Sequence, residues 1–298
     1  MTYCIYTDRD VICEDGSVDH VSPLSLGGCN QFAVWAERTF NSQIGSSVDG
    51  AIAKDPIVMF ARRNADSRGH SNAPPIPRFK QSTIEGRPAQ ITFKRNELQI
   101  WDAKANRYLT DEEKAGKELT STIRIEAYAP LRFLAKVVLG GGYFLYGDMI
   151  KEYADCNVLR ALISFDQKAE NSLLRAAKHV RVCDRYDPAA FKKSGDEYVR
   201  RMLCELNGRS LLVSEFSSNA VAYHVGILGI FIGSIVFYKT VRVYPPDIEE
   251  AIGHGVLLSP GPMERIDLRR IMGDLYRKVS NEEPPRPAFL SGQGSNNQ

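Results

Sequence analysis

The chain predicts an α+β fold, with a small N-terminal module followed by a larger mixed α/β body. Three observations lead there. Short apolar runs broken by turn residues occupy the first forty residues and give way to a helical pattern. A second group of strand-like runs lies between residues 209 and 244. Helical stretches flank that group on both sides. The 298 residues, 43% hydrophobic and 25% charged, suit one large domain or two modest ones. Formal net charge is only +2, so affinity for nucleic acid would need a local basic surface.

The elements follow in order. "SVDHV" reads as a short strand, with Asp19 and His20 on opposite sides of its pleat. "SPLSLGGCN" cannot continue a strand and forms a broad loop, and "FAVWA" supplies a second strand. "ERTFNSQIGSSVDGAIAKD" is helical, with Asn41 in its first turns. These elements make a module over residues 1–68, and "GHSNAPPIPRFK" (69–80) is a Pro-rich linker.

The body, residues 81–280, begins with two strands around a Lys-Arg-Asn-Glu turn in "AQITFKRNELQIWD". A helix pattern through "TSTIRIEAYAPLRFLAKVVLGGGYFLYGDMIKEYA" is interrupted by Pro130 and by Gly140 to Gly142. A second helix runs through "NVLRALISFDQKAENSLLRAAKHV". "RSLLVSEF" is a strand. The uncharged run from Ala220 to Tyr238 approaches the length of a membrane span, but its β-branched and aromatic residues predict two buried strands joined near Gly229. No membrane association is expected. "TVRVY" is a further strand, "DIEEAIGHG" and "PMERIDLRRIMGDLYRKVS" are helical, and residues 281–298 form a disordered tail.

Six cysteines lack regular spacing, and "CIYT" places Thr7 where a CxxC pair would have its second thiol. Acids interrupt "MTYCIYTDRD" where a secretory signal would have its apolar core. Reduced thiols in a cytoplasmic protein are the expectation.

"DHVSPLSLGG" and "FNSQIGSSVDG" together resemble the HNH endonuclease family, whose core is the ββα-metal fold. The likeness is to the branch that reads CIxC, then HVxPxxLGG, then CNSxxG, and it covers about the first fifty to sixty residues. It implies a metal-dependent endonuclease that hydrolyses DNA, with RNA as an alternative substrate, of the kind found in phage defence and mobile elements. Carried onto this chain, it implies that His20 is the general base and that Asp19 and Asn41 ligate one Mg²⁺ or Mn²⁺ ion. Arg38 would hold a phosphate, Arg62 and Arg63 would touch the nucleic-acid backbone, and the body would serve target recognition or homodimer contact.

The chain departs from this pattern in two places. Cys4 stands alone, with Thr7, Glu37 and Phe40 at the other zinc-knuckle positions, so no structural zinc is expected. An apolar cluster of Tyr3, Ile5, Phe32, Trp35 and Phe40 would have to support the module instead. Phe32 also fills the place of the family's middle asparagine, with Asn30 two residues earlier as a candidate substitute. Plainer readings stand beside these. Asp19–His20 is also an ordinary strand end, Asn41 a helix cap, Asp49 a solvated or capping acid rather than a third ligand, and His70 an exposed linker residue, although it could approach a phosphate. A catalytically degenerate nucleic-acid-binding or protein-interaction module is the rival to the enzyme.

Overall fold

Alternating burial sets the first strands. In a computed structural model, which describes residues 1–70, 72–73, 75–165, 177–193, 195–245 and 252–281, a hairpin of β1 (Thr2–Cys4) and β2 (Arg9–Val11) precedes β3 (Gly16–His20). β3 pairs antiparallel with β4 (Ala33–Glu37), Asp19 lying opposite Val34 and His20 opposite Ala33. Asp19 is buried and His20 half-exposed, as two successive strand residues should be. The loop between them makes one 3-10 turn at Leu24–Leu26 and ends at Gly27, φ 79°. Gly28 follows because a Cβ there would lie 1.7 Å from the Ser22 carbonyl oxygen.

Helix α1 (Arg38–Ile44) starts directly after β4 and widens into a π turn over Gly45–Asp49 before the short α2 (Gly50–Ala53). A π turn accommodates one extra residue, so Asp49 falls about two helical turns from Asn41, on the same face. α3 (Pro56–Asn64) is capped by the Asp55 carboxylate, which accepts from the amides of Ile57 and Val58.

A five-stranded antiparallel sheet follows, in the order β8-β7-β6-β5-β9. Its strands are β5 (Arg78–Ile84), β6 (Arg87–Phe93), β7 (Leu98–Asp102), β8 (Arg107–Tyr108) and β9 (Leu119–Ser121), with the short α4 (Asp111–Lys114) before the last. It has its own small core of Ile84, Ala89, Ile100 and Leu109. Phe79 and Phe93 contact Phe60 of α3, ring centroids 6.0 and 5.0 Å apart, and so join this sheet to the N-terminal helices.

The remaining chain is layered. α5 (Ala129–Tyr146), α6 (Ile150–Tyr153) and α7 (Cys156–Ile163) lie on one face of a six-stranded antiparallel sheet of order β10-β13-β12-β11-β14-β15. Those strands are β10 (Val180–Asp184), β11 (Leu211–Phe216), β12 (Ala220–Ile227), β13 (Ile230–Tyr238), β14 (Gly253–Leu257) and β15 (Glu264–Asp267). α8 (Asp196–Asn207) and α9 (Leu268–Asn281) cover the other face. Alternation along β11 divides its side chains, with Leu212 in the larger core and Leu211 and Val213 in the smaller.

That double cover explains the uncharged run. β12 and β13 are buried on both faces and meet at Leu228–Gly229, both with positive φ, the turn that suits a two-residue hairpin. One stretch, Ala129–Tyr153, is helical, long and apolar enough to cross a membrane, and most of it is buried against the sheet and the N-terminal elements.

Several expectations are corrected. The helix does not run back to Thr120: Leu119–Ser121 form β9, and α5 begins only at Ala129. Gly140 to Gly142 do not interrupt α5; all three lie within it and are buried, because neighbours pack where side chains would otherwise stand. A Cβ on Gly141 would sit 2.4 Å from Leu212 and 3.0 Å from Phe32. Pro130 does not break the helix either: it occupies the first turn, where a missing amide proton costs nothing. Residues 240–244 form no strand. The helical readings fail at His254 and Gly255, which belong to β14, and at Glu264–Asp267, which is β15; only from Leu268 is the chain helical.

The second expected helix ends at Ile163, its predicted continuation over 166–176 lies outside the described residues, and Val180 already begins β10. The tail from 282 also lies outside them. The main core joins residues from Cys4 to Ala61 with residues from Phe133 to Leu258, and the five-stranded sheet between them keeps its own small core; Arg78–Lys80, expected in the linker, belong to β5.

The glycine contact yields a stability prediction. Gly141→Leu overpacks the interface of α5, β11 and Phe32 and should lower unfolding free energy by about 1–3 kcal/mol in urea denaturation. A variant as stable as the native protein would show that this interface has room to spare.

Candidate active site

Strand β3 ends where α1 passes above it, and the two enclose a cleft of about 530 Å³. Asp19, His20 and Asn41 all line it, with Asp49 and, from beyond α3, His70. The three residues singled out in the sequence therefore do share one cavity.

His20 Nε2 lies 2.9 Å from Asn30 Oδ1. An amide oxygen only accepts, so Nε2 donates to it, and in the neutral ring Nδ1 carries the lone pair. Asn30 thus orients the imidazole, while Phe32 is buried in the core. Asn41 directs its amide nitrogen to Ser17 Oγ (3.0 Å) and to the Val18 carbonyl (3.1 Å). Those contacts tie α1 to β3 and leave Oδ1 as the remaining acceptor of a residue that lines the cleft. Asn41 is not the cap of α1: the residue at that position is Glu37.

Asp19 is only 5% exposed. Tyr6 donates its hydroxyl proton to Asp19 Oδ2 at 2.8 Å, and the Lys136 ammonium lies 3.2 Å from Oδ1. Burial, then the Asp19 charge, pushes the Tyr6 phenol far above its ordinary range, so it remains a donor. Lys136 comes from the middle of α5, is completely buried, and also donates to Asp49 Oδ2 (2.8 Å) and to the His20 carbonyl (3.1 Å). Two carboxylates against one ammonium leave the cluster one negative charge when both acids are ionised.

Burial raises the Asp49 carboxyl to about 6, and Lys136 opposes that rise. For Lys136, burial acts to lower the ammonium, but the charges of Asp49 and Asp19 prevail and hold it above its usual value. Asp49 Oδ1 is buried with no hydrogen-bond partner. An orphaned carboxylate oxygen, an open amide oxygen and a surplus negative charge fit a hard divalent cation held by oxygen donors. Among the described residues there is no group of three or more His, Cys, Asp or Glu with metal-binding geometry, so any such site is a mixed carboxylate–amide one.

The basic residues lie elsewhere. Arg38 donates to the carbonyls of Glu14 and Gly16, Arg62 to those of Ser25 and Ala53, and Arg63 to that of Arg95. Arg62 thereby bonds two residues that line the cleft, and none of the three arginines lines it. Cys4 is fully buried and accepts the Glu37 amide at 3.3 Å, while Ile5 and Phe32 sit in the core and Tyr3 and Phe40 pack against it. Trp35 is half-buried outside that cluster. Tyr6 stacks on Phe40 at 5.3 Å, so apolar packing surrounds Cys4.

Sequence reasoning missed Lys136 and Tyr6; it weighed Asp49 as a third ligand and His70 as a residue that could approach a phosphate, but favoured the plainer reading of each. Lys136 did carry a signal: it is a lone charge within "FLAKVVLGGG", and a lysine in so apolar a stretch calls for a buried partner.

No family model, curated protein or solved structure matches the chain.

Lys136→Met strands two buried carboxylates and should cost about 3–5 kcal/mol of stability, measured by chemical denaturation. The Asp49 carboxyl binds its proton more tightly when folded than when unfolded, so between pH 3.8 and about 6 the native state holds more protons and stability from this group falls as pH rises. Asp49→Asn removes that slope. Its melting temperature relative to the native protein should therefore improve from pH 4 to pH 6, and a constant difference would contradict the assignment.

Proposed function

We propose that the protein is a metal-dependent endonuclease of the HNH type that hydrolyses DNA phosphodiester bonds. The observation that carries this reading is the convergence of Asp19, His20 and Asn41 on one cleft, with His20 oriented by Asn30. β3, the following loop, β4 and α1 would form the ββα-metal unit, and Asp19 and Asn41 would hold the cation.

His20 Nδ1 takes a proton from the attacking water while Nε2 donates to Asn30, so one tautomer persists as the ring becomes an imidazolium. Asn41 offers an oxygen whose direction is set by the two bonds its nitrogen makes to β3. Lys136 and Tyr6 hold the Asp19 carboxylate in one orientation. A bound divalent cation supplies Lewis-acid stabilisation of charge on the phosphate. A cytoplasmic location with reduced thiols accords with this reading.

One observation favours a second reading. Lys136 already neutralises much of the Asp19–Asp49 charge, as it would in a degenerate module that binds nucleic acid without cutting it.

Cleavage of supercoiled plasmid with Mg²⁺ or Mn²⁺ separates the two. The enzyme should nick or linearise DNA, His20→Ala should lose roughly 10²–10⁴-fold in rate, and Asn30→Ala should lose kcat with KM little changed. Native protein and His20→Ala cutting equally would exclude His20 as the base. Chelator should abolish cutting by an enzyme; DNA affinity that survives chelator and Asn41→Ala, with no cutting by the native protein, would support the binding module instead.

A further inference from the structure

We propose that His70 is the general acid of this site, protonating the oxygen that leaves phosphorus; the assignment rests on the nuclease reading. His70 reaches the cleft from the segment after α3, and its ring centroid lies 5.8 Å from that of His20, the two planes tilted by 55°. That spacing lets two imidazoles hydrogen-bond to different oxygens of one phosphate, each at about 2.6–3.2 Å.

The approach is built into the fold. Ser67 donates to the Leu24 carbonyl (3.3 Å) and Arg62 to the Ser25 carbonyl (2.7 Å), so the end of α3 is fastened to the loop that directly follows His20. Gly69 lies close against that loop: a Cβ there would be 3.3 Å from the Ser25 Cβ. Arg68 closes the turn by bonding both Asp66 carboxylate oxygens and the Asn72 carbonyl. His70 is exposed and makes no hydrogen bond within the described residues, so its ring is free to meet a ligand.

The two imidazoles divide the work. As water attacks, His20 accepts its proton and the water oxygen forms a bond to phosphorus. The bond from phosphorus to the leaving oxygen breaks, its electron pair staying on that oxygen, and the imidazolium of His70 gives up its proton there. One water is consumed. His20 ends protonated and His70 neutral, and exchange with solvent resets both.

The test compares two substrates with Mg²⁺ or Mn²⁺ present. Plasmid DNA has an alkoxide leaving group that needs a proton, whereas bis(p-nitrophenyl) phosphate releases a phenolate that does not. His70→Ala should lose about a hundredfold or more on DNA and less than about threefold on the activated diester. His20→Ala should lose on both. Equal loss by His70→Ala on the two substrates, or no loss on DNA, overturns the assignment to His70 while leaving the nuclease reading intact. A native protein inert on both substrates overturns the nuclease reading, and the role of His70 with it. Retained activity of His70→Ala on the activated diester also shows that the variant is folded.

Discussion

One buried ammonium governs the rest of the structure. Lys136 stands in a helix whose other buried residues are apolar or glycine, and a charge without solvent is tolerated only with partners on several sides. Asp19 and the His20 carbonyl, both at the end of β3, and Asp49 from the π turn after α1 supply those partners. Their positions thereby become interdependent: α5 must cross the end of β3, and the π turn after α1 must bring Asp49 over it. Burial of the tyrosine that completes the Asp19 shell depends on the same crossing, since a Cβ on Gly140 would lie 2.2 Å from the Tyr6 hydroxyl oxygen. The cleft is therefore a product of the N-terminal elements and the body together.

That dependence also explains how the N-terminal elements hold their shape. Cys4, Ile5 and Phe32 enter the main core, and Tyr6 stacks on Phe40. The loop after His20 is likewise fastened from outside, with Ser210 donating to the Leu26 carbonyl and the Ser259 amide to that of Gly27. Apolar burial and a few directed hydrogen bonds to the body take over the role of a local cross-link. An N-terminal piece cut away from the body would lose both supports.

Local pattern was informative where one interaction dominates locally. β3, the loop, β4 and the start of α1 were legible because alternation, Pro23 and the glycine pair act within a few residues. The buried hairpin of β12 and β13 was legible for the same reason: β-branched composition and a glycine at the turn. Readings failed where packing overrides propensity. Gly140 to Gly142 remain helical because close neighbours repay the flexibility they cost. Residues 253–257 and 264–267 become strands because β11 offers an unpaired edge to β14, and β14 in turn to β15. The site divides along the same line. Asp19, His20 and Asn41 were marked out by a motif resemblance, whereas Lys136 and His70 lie 116 and 50 residues from His20, and nothing local marks either as its neighbour.

By itself, the amino-acid sequence determined the class of fold and the two strands and helix of the cleft, since those follow from side-chain periodicity and turn chemistry over short spans; the three side chains that share it were singled out by likeness to a motif. Only the tertiary structure decided that Asn30 orients the imidazole, that a lysine from a distant helix balances the carboxylates, and that a second histidine faces the first. Electrostatic and hydrogen-bond partners are chosen by proximity in space, and in a core that runs from Cys4 to Leu258 that proximity is set by packing of the whole chain.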